Sequence, residues 1–213
     1  SFGTPEVVDP WIRGMLSGEL IASIALTEPG GGSDAANLKL RARRDGDDYI
    51  IDGEKTSISL ADQADFTVAF ARTGTTEARA KGISSFLIPL DLPGISRTSF
   101  DDHGGRSVGR GSLFFDNVRV PASHLLGTEN AGFSQVMAGF DYSRALLGIL
   151  CLSVARVSLD AAWKYTNERF TFGKPLSEYQ GVTFPLAEAE TQWAGARLLC
   201  LQTLWLKDRG LPH

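Results

Sequence analysis

Residues 49–60 read YIIDGEKTSISL, and the reading of this stretch decides the fold of the region around it. Asp52-Gly53 stands between two β-prone runs, and Asp-Gly in that setting predicts a β-hairpin turn. Working outward, FTVAFAR (66–72) alternates Phe66, Val68 and Phe70 against Thr67, Ala69 and Ala71, the period of a strand. ISSFLIPL (83–90) and GSLFFDNVRVP (111–121) follow, each bounded by Gly or Pro. Short strands with turn signals and no helical pattern between them predict an antiparallel β-barrel or sandwich over about residues 21–122.

The flanks have other textures. PEVVDPWIRGMLSG (5–18) predicts a short helix with Pro10 near its first turn and Gly18 at its end. From about Tyr142 to Arg169, Leu147, Leu150, Val154, Val157 and Ala161 step by 3, 4, 3 and 4, one face of a helix. Leu146, Ile149 and Leu152 make its first half apolar on other faces too, which predicts deep burial. After a break at TFGKPLSEY (171–179), a second helix is expected from about Gln180 to Arg209. Lys207 and Arg209 lie in its last turn, Gly210 follows as a cap, and Pro185 either kinks the helix or marks a delayed start. Two such helices pack antiparallel as half of a four-helix bundle, and two alone do not close its core. The missing helices are expected from outside residues 1–213 or from another subunit. The fold class expected is α+β, multi-domain: an antiparallel β-barrel or sandwich followed by two long antiparallel helices of an incomplete bundle.

The totals exclude some classes of function. A formal net charge of -4 lacks the basic footprint of a nucleic-acid binder. The longest uncharged apolar run, Ala145–Ala155, is far short of the roughly 20 residues that span a bilayer, so no membrane is expected as a partner. No charged-then-apolar leader opens the chain. Cys151 and Cys200 both sit in apolar helical patterns, which reads as a reducing compartment and not a disulfide scaffold. No metal site is expected.

Four stretches can carry chemistry. In ALTEPGGGSDAANL (25–38), Gly30, Gly31 and Gly32 permit close backbone approach and an anion-binding nest, with the Thr27 and Ser33 hydroxyls at either end. A bare glycine run is more often a loose surface turn. The G-x-G-x-x-G spacing is missing, and so is a following Gly-Lys-Ser/Thr, which argues against the two common nucleotide loops. In GEKTSIS (53–59), Ser57 and Ser59 share a strand face, the plain reading being a solvated hydroxyl row. In GFDYSRALLG (139–148), Asp141 reads as a helix cap, and Arg144 as its partner or a phosphate ligand. In NERFTFGKPLSEYQ (167–180), Arg169, Thr171 and the start of the next helix are the parts that an anion site uses, although an inter-helix loop needs no function.

Taken in order, these stretches resemble the acyl-CoA dehydrogenase family of flavoproteins. The first signature of the family looks like ALTEPGGGSD, and its flavin strand, commonly G-x-K-x-W-I-[ST], looks like GEKTSIS. GGRSVGRGSLFFDNVRVPASHLLG resembles the segment leading out of the β-domain, and NAGFSQVMAGFDYSRALLG the start of the first long C-terminal helix. YTNERFTFGKPLSEYQ is similar to the R-x-x-F-G-x-x-[IL]-x-x-x-Q loop of the family. The resemblance spans nearly the whole chain. It implies the end of an N-terminal helical domain at 1–20, a flavin- and acyl-CoA-binding β-domain at 21–125, and the first half of the C-terminal helical domain at 126–213.

The resemblance also implies roles. FAD would be the cofactor. Thr27 would hydrogen-bond the pyrimidine end of the flavin, and Ser59 would address N5, positions where donors tune a flavin that accepts a hydride. Ile24 would line the ring, with Ser57 and Ile58 beside it. Gly32 and Ser33 would lie where pyrophosphate and acyl-CoA pass. Arg169, Thr171, Phe172, Leu176 and Gln180 would reach the FAD of a neighbouring subunit, and Phe140, Asp141 and Arg144 would border the CoA arm along with Ser33. The reaction implied is α,β-dehydrogenation of an acyl-CoA thioester, with electrons passing to an electron-transferring flavoprotein. A homotetramer or homodimer in a bacterial cytoplasm or mitochondrial matrix is implied as well. An acyl-CoA oxidase, a flavin-dependent monooxygenase or a non-catalytic flavin-binding relative are the alternatives.

Two departures stand out. Ser57 replaces the Trp that flanks the flavin in the family, and RSVGR puts Val108 and Arg110 where the common R-x-S-x-T pattern has polar residues. No catalytic residue is expected within 1–213. One branch of the family has a Glu where this chain has Ser143, and in the main branch the base lies further along the protein. Asp101, Asp102 and His103 are a tempting substitute, but a polar surface turn is the better reading.

Overall fold

The computed structural model describes residues 2–212, and the chain divides into two compact units, Ser1–Val136 and Met137–His213. The first unit opens with helix α1 (Pro5–Ser17), in which Pro5 supplies the N-terminal proline and Gly18 the left-handed C-cap. Pro10 lies within the helix, beyond the first turn where it was expected. Trp11 of α1 packs on Phe66, their ring centroids 4.8 Å apart, and Val8 joins the same small cluster.

Seven strands form one curled sheet: β1 (Ala22–Ala25), β2 (Arg41–Asp45), β3 (Asp48–Ile58), β4 (Phe66–Arg72), β5 (Ile83–Pro89), β6 (Ile95–Ser99) and β7 (Gly111–Pro121). The order is β1-β4-β2-β3-β7-β6, and β5 pairs with β4. Most pairs are antiparallel, but β1 runs parallel to β4 because the β2–β3 hairpin forms the crossover between them. With β5 on one edge and β1 and β2 on the other, β4 is central and is covered on both faces. The alternation read in FTVAFAR therefore does not become an inside–outside pattern, and Thr67, Ala69 and Ala71 are as buried as Phe66 and Phe70. The core gathers Tyr49, Ile51, Phe86, Leu113, Phe115 and Val120, with Tyr49 and Phe86 meeting edge to face at 4.9 Å.

The hairpin turn is not at Asp52-Gly53. β3 runs straight through those residues, and the chain turns at Gly46-Asp47, where Gly46 takes φ 64° between the paired Asp45 and Asp48. Asp-Gly serves a bulge instead. Ile51 pairs with Val118 but Gly53 with Phe115, so β7 carries an extra residue here. Asn117 absorbs it with φ 50°, and its N–H donates to Asp52 Oδ1 at 2.8 Å. Gly53, at φ 131°, also leaves room for Leu40: a Cβ there would lie 3.2 Å from the Leu40 Cα. A second bulge, now on β3, separates Lys55 (opposite Leu113) from Ile58 (opposite Gly111), and Ser57 takes it up with φ 58°.

The second unit holds most of α2 (Gly132–Glu168), a small hairpin of β8 (Phe170–Thr171) and β9 (Lys174–Pro175), and α3 (Gln180–Asp208). α2 begins ten residues before the expected start, so Asp141 lies inside the helix and caps nothing. Pro185 falls within α3, which runs unbroken from Gln180. Gly210, at φ 66°, closes α3, with its N–H on the Lys207 carbonyl and that of Leu211 on Leu206. The helices are antiparallel. Arg156 of α2 makes two 2.7 Å bonds to the Glu190 carboxylate of α3, which also accepts from Trp163 Nε1, while Trp193 Nε1 donates to the Leu152 carbonyl. Closer to the end of α3, Cys200 Sγ sits where a Cβ on Gly148 would be 2.6 Å away.

Among the described residues, the first half of α2, expected to be deeply buried, is covered on one strip only. Leu147, Leu150, Val154 and Val157, the stripe that fixed the helical period, are 56–69% exposed, and Leu146 is exposed as well. Each helix can cover only one strip of the other, and α3 covers the strip that contains Leu152 and Arg156. By length and composition α2 is the one helix among the described residues apolar enough to cross a bilayer. The eleven-residue uncharged run understates it, since the apolar stretch continues past Arg156 and Asp160 through Val157, Leu159, Ala161 and Ala162.

Candidate functional site

The glycine run lies on a loop that leaves β1 and returns at β2, and buried side chains pin it at both ends. Glu28 carries out the first pinning. Its carboxylate accepts N–H bonds from Lys39 (2.6 Å) and Leu40 (2.8 Å), and it pairs with Lys55 Nζ at 2.9 Å. Lys55 comes from β3, is fully buried, and also donates to the Leu26 carbonyl at 2.9 Å. Burial alone would raise the Glu28 pKa, but the Lys55 charge and the bonds from Leu40, Lys55 and Lys39 outweigh it and hold the carboxyl below its ordinary value. Burial pushes the Lys55 ammonium down to about 8 against the opposing pull of Glu28. The second pin is Arg72 of β4, also buried, whose guanidinium donates to the carbonyls of Ala36, Leu38, Thr75 and Arg79.

Between the pins, Pro29–Ser33 projects into solvent. Glu28 and Gly31 exchange both backbone bonds (3.2 and 3.0 Å), which sets the turn. None of Gly30, Gly31 and Gly32 has a left-handed φ. A Cβ on Gly30 or Gly31 would meet nothing within 4 Å, and one on Gly32 would make ordinary contact with the Thr27 side chain at 3.4 Å. Neither backbone conformation nor packing within the chain calls for glycine here. What the glycines leave is an open strip of bare backbone.

The neighbouring wall is the bulged end of β3. Thr56 donates its N–H to the Thr27 carbonyl at 2.9 Å, so the two predicted flavin segments, 24–33 and 57–59, lie side by side. Thr27 is half-buried beside the strip, Ser33 is exposed on it, and Ile24 turns a 59% exposed side chain outward from the edge strand β1. The bulge undoes the expected shared face of Ser57 and Ser59: Ser57 is re-aimed by its left-handed φ and Ser59 lies beyond the end of β3, though both are exposed. Ile58, expected at the cofactor, sends its side chain into the core and leaves only its backbone for a ligand. The Leu60 N–H donates to the Val108 carbonyl at 2.8 Å and ties in the 105–110 loop. Arg110 is committed there, gripping Asp102 through two bonds of 2.8 and 3.0 Å and lying over the Phe100 ring. That grip holds the Asp102 carboxyl below its ordinary range, the opposite of what a proton-abstracting base needs at neutral pH.

The remaining predicted residues belong to the second unit. Phe140, Asp141 and Arg144 lie along α2, with Asp141 and Arg144 joined as an exposed ion pair of 3.1 Å. Arg169 ends the helix, donating its N–H to the Tyr165 carbonyl and accepting from Leu176. β8 and β9 are joined by Phe172-Gly173 with φ of 51° and 82°, the two left-handed residues of a type I′ turn. The Tyr179 hydroxyl locks this hairpin by donating to the Thr171 carbonyl at 2.7 Å, and Gln180 opens α3. Phe172, in a conformation a bulky residue rarely takes, stands 94% exposed at the tip.

Sequence reasoning missed the two pins. A signal for one existed: Lys55 is in phase with Tyr49 and Ile51, and a lysine on the inward phase of a strand must find a buried partner. Arg72 carried no comparable signal, since its four acceptors are backbone carbonyls.

A glycine strip, a bulged strand beside it and a long helical pair in this order are those of the acyl-CoA dehydrogenase family, to which the chain belongs. Residues 23–118 match its middle domain and residues 130–213 its C-terminal domain. Among individual relatives, acyl-CoA dehydrogenase AFT10-1 of Alternaria alternata is 40% identical over 192 residues, covering 90% of this chain and 44% of that protein. The short-chain specific acyl-CoA dehydrogenase of Rattus norvegicus mitochondria is 36% identical over 212 residues, 99% of this chain and 51% of that protein. The crystal structure of an acyl-CoA dehydrogenase from Geobacillus kaustophilus superimposes with a TM-score of 0.93 at 36% identity, over 100% of this chain and 56% of that one. The chain thus spans about half the length of the curated relatives it matches.

Proposed function

We propose that these residues form the flavin- and acyl-CoA-binding part of an FAD-dependent acyl-CoA dehydrogenase. The observation that carries this reading is the strip at Gly30–Gly32, glycine without a conformational or internal packing reason, which leaves room for a ligand to lie on the backbone. The surroundings suit FAD: an exposed Ile24 for the ring, hydroxyls at Thr27 and Ser59 for its polar edge, and, on either side of the Gly31 amide bonded to Glu28, the backbone amides of Gly30 and Gly32 for pyrophosphate. Flavin, when bound, supplies the acceptor for the hydride that leaves the β-carbon of the thioester.

The residues of the chain then have distinct tasks. Thr27 orients the pyrimidine end, and Ser59 presents a hydroxyl towards N5. Gly32 and Ser33 let the pyrophosphate groups pass, and Phe140, Asp141 and Arg144 flank the CoA arm. Arg169, Thr171, Phe172, Leu176 and Gln180 serve the FAD of a neighbouring subunit, a role suited to a locked hairpin with an uncovered aromatic at its tip. The exposed stripe on α2 supports a bundle completed by further helices in a homotetramer or homodimer. The α-proton is taken by a carboxylate outside these residues, and an electron-transferring flavoprotein is the proposed acceptor. A bacterial cytoplasm or a mitochondrial matrix is the setting this implies.

Ser57 favours one second reading. A small, exposed side chain stands where the family has an indole, which opens that edge of the site to oxygen and suits an oxidase. Anaerobic titration of the full-length flavoprotein with a panel of acyl-CoAs tests the main reading: at least one should bleach the flavin absorbance. If none does, the dehydrogenase reading fails. Oxygen uptake during turnover would favour the oxidase.

A further inference from the structure

We propose that the buried Glu28–Lys55 pair is a positioning device for the flavin wall, fixing Thr27 and the glycine strip without touching the ligand. The inference rests on the flavin reading above. A fully buried lysine and a nearly buried glutamate are a poor way to gain stability, since desolvation of both ions offsets most of their attraction and an apolar pair often does as well. What ions supply is direction. The Glu28 carboxylate spans from the departing end of the loop to the amides of Lys39 and Leu40 at its returning end, closing the loop across its base. Lys55 ties that carboxylate to the Leu26 carbonyl, and the next residue of β3 holds the Thr27 carbonyl. Residues 26, 27 and 28 are therefore each held by Lys55 or Thr56. Only the side chain of Thr27 and the strip beyond Glu28 remain for a ligand.

This placement separates positioning from contact. The Thr27 hydroxyl sits between two anchored peptides, so its direction follows from the pair. Removing the pair should loosen the hydroxyl and the strip together, weakening FAD and changing the flavin electronically.

The test uses the full-length protein with FAD. Two variants are made: Glu28→Gln/Lys55→Met, which replaces the ions and keeps the site filled, and Glu28→Asp, whose shorter arm keeps the charge but not the span. Each is also made in a Thr27→Ala background. FAD affinity of the apoprotein, the visible spectrum and midpoint potential of the bound flavin, and far-UV circular dichroism are recorded. With native dichroism retained, the dissociation constant for FAD should rise at least tenfold in both variants. The potential should shift in the Thr27 background and much less in the Thr27→Ala background. Unchanged affinity and spectrum in both folded variants would overturn the proposal and leave the flavin reading standing. So would a shift in potential of equal size in the two backgrounds. Wild-type protein that binds no FAD would instead sink the flavin reading, and the proposal with it.

Discussion

Gly32→Ala separates a glycine kept for a ligand from one kept for the fold. In the free protein the change is mild: the backbone is outside the left-handed region, and the new Cβ would rest on Thr27 Cγ2 at 3.4 Å, an ordinary contact. Losing a glycine then restricts the unfolded chain, and the apoprotein should gain about 0.4–1 kcal/mol. In the bound protein the same methyl enters space that a ligand fills. Forcing one such group into a well-packed contact costs about 1–3 kcal/mol. At about 1.4 kcal/mol for each factor of ten, that weakens binding roughly 5- to 150-fold. Flavin fluorescence quenching on titration of apoprotein with FAD measures the second quantity, and thermal unfolding of the same apoprotein measures the first. Opposite signs are the expected signature. If Gly32→Ala binds FAD within a factor of two of wild type, and Gly30→Ala and Gly31→Ala do likewise, the strip is a surface turn and the reasoning is refuted.

Other expectations follow from single features. Gly111→Ala should abolish folding of the β-domain, because its Cβ would fall 1.7 Å from the backbone oxygen of Thr98; native circular dichroism in the purified variant would contradict this. Glu28 titrates below its ordinary 4.5 in the folded state, so its contribution is complete above that pH and is lost as the pH falls through the lowered value. Denaturant midpoints measured from pH 6 downward should fall more steeply in wild type than in Glu28→Gln, and parallel curves would count against the pairing. Phe172→Gly removes a strained, uncovered aromatic. It should leave the hairpin and α2–α3 intact by hydrogen exchange yet shift sedimentation towards smaller species, whereas an unchanged assembly would exclude the tip from subunit contacts.

The classes of element were legible from residue pattern, and their joints were not. Period and composition marked α1, the strand region and both long helices, because burial on one face leaves a period in the sequence. Asp52-Gly53 misled because the dipeptide answers two demands, a positive φ and a missing Cβ, and bulges share both with hairpin turns. The α2 stripe gave the helix correctly but not its cover among the described residues, since periodicity records that a face is covered but not by what. At the site, the hydroxyls and glycines were visible as motifs. Of the ions beneath them, Lys55 left a trace in its inward phase on β3, whereas Arg72 acts through backbone carbonyls, which no residue pattern encodes.

The bulge at Ser57 separates what this surface presents from what lies beneath it. Because the extra residue is absorbed there, Lys55 and Ile58 both face inward although their odd spacing on a regular strand would put them on opposite faces. The register of β3 and the clamp below the loop are thus insulated from the residue that faces outward. The outward chemistry at Ser57 can therefore change without moving the ladder, within the range of side chains that a φ of 58° admits.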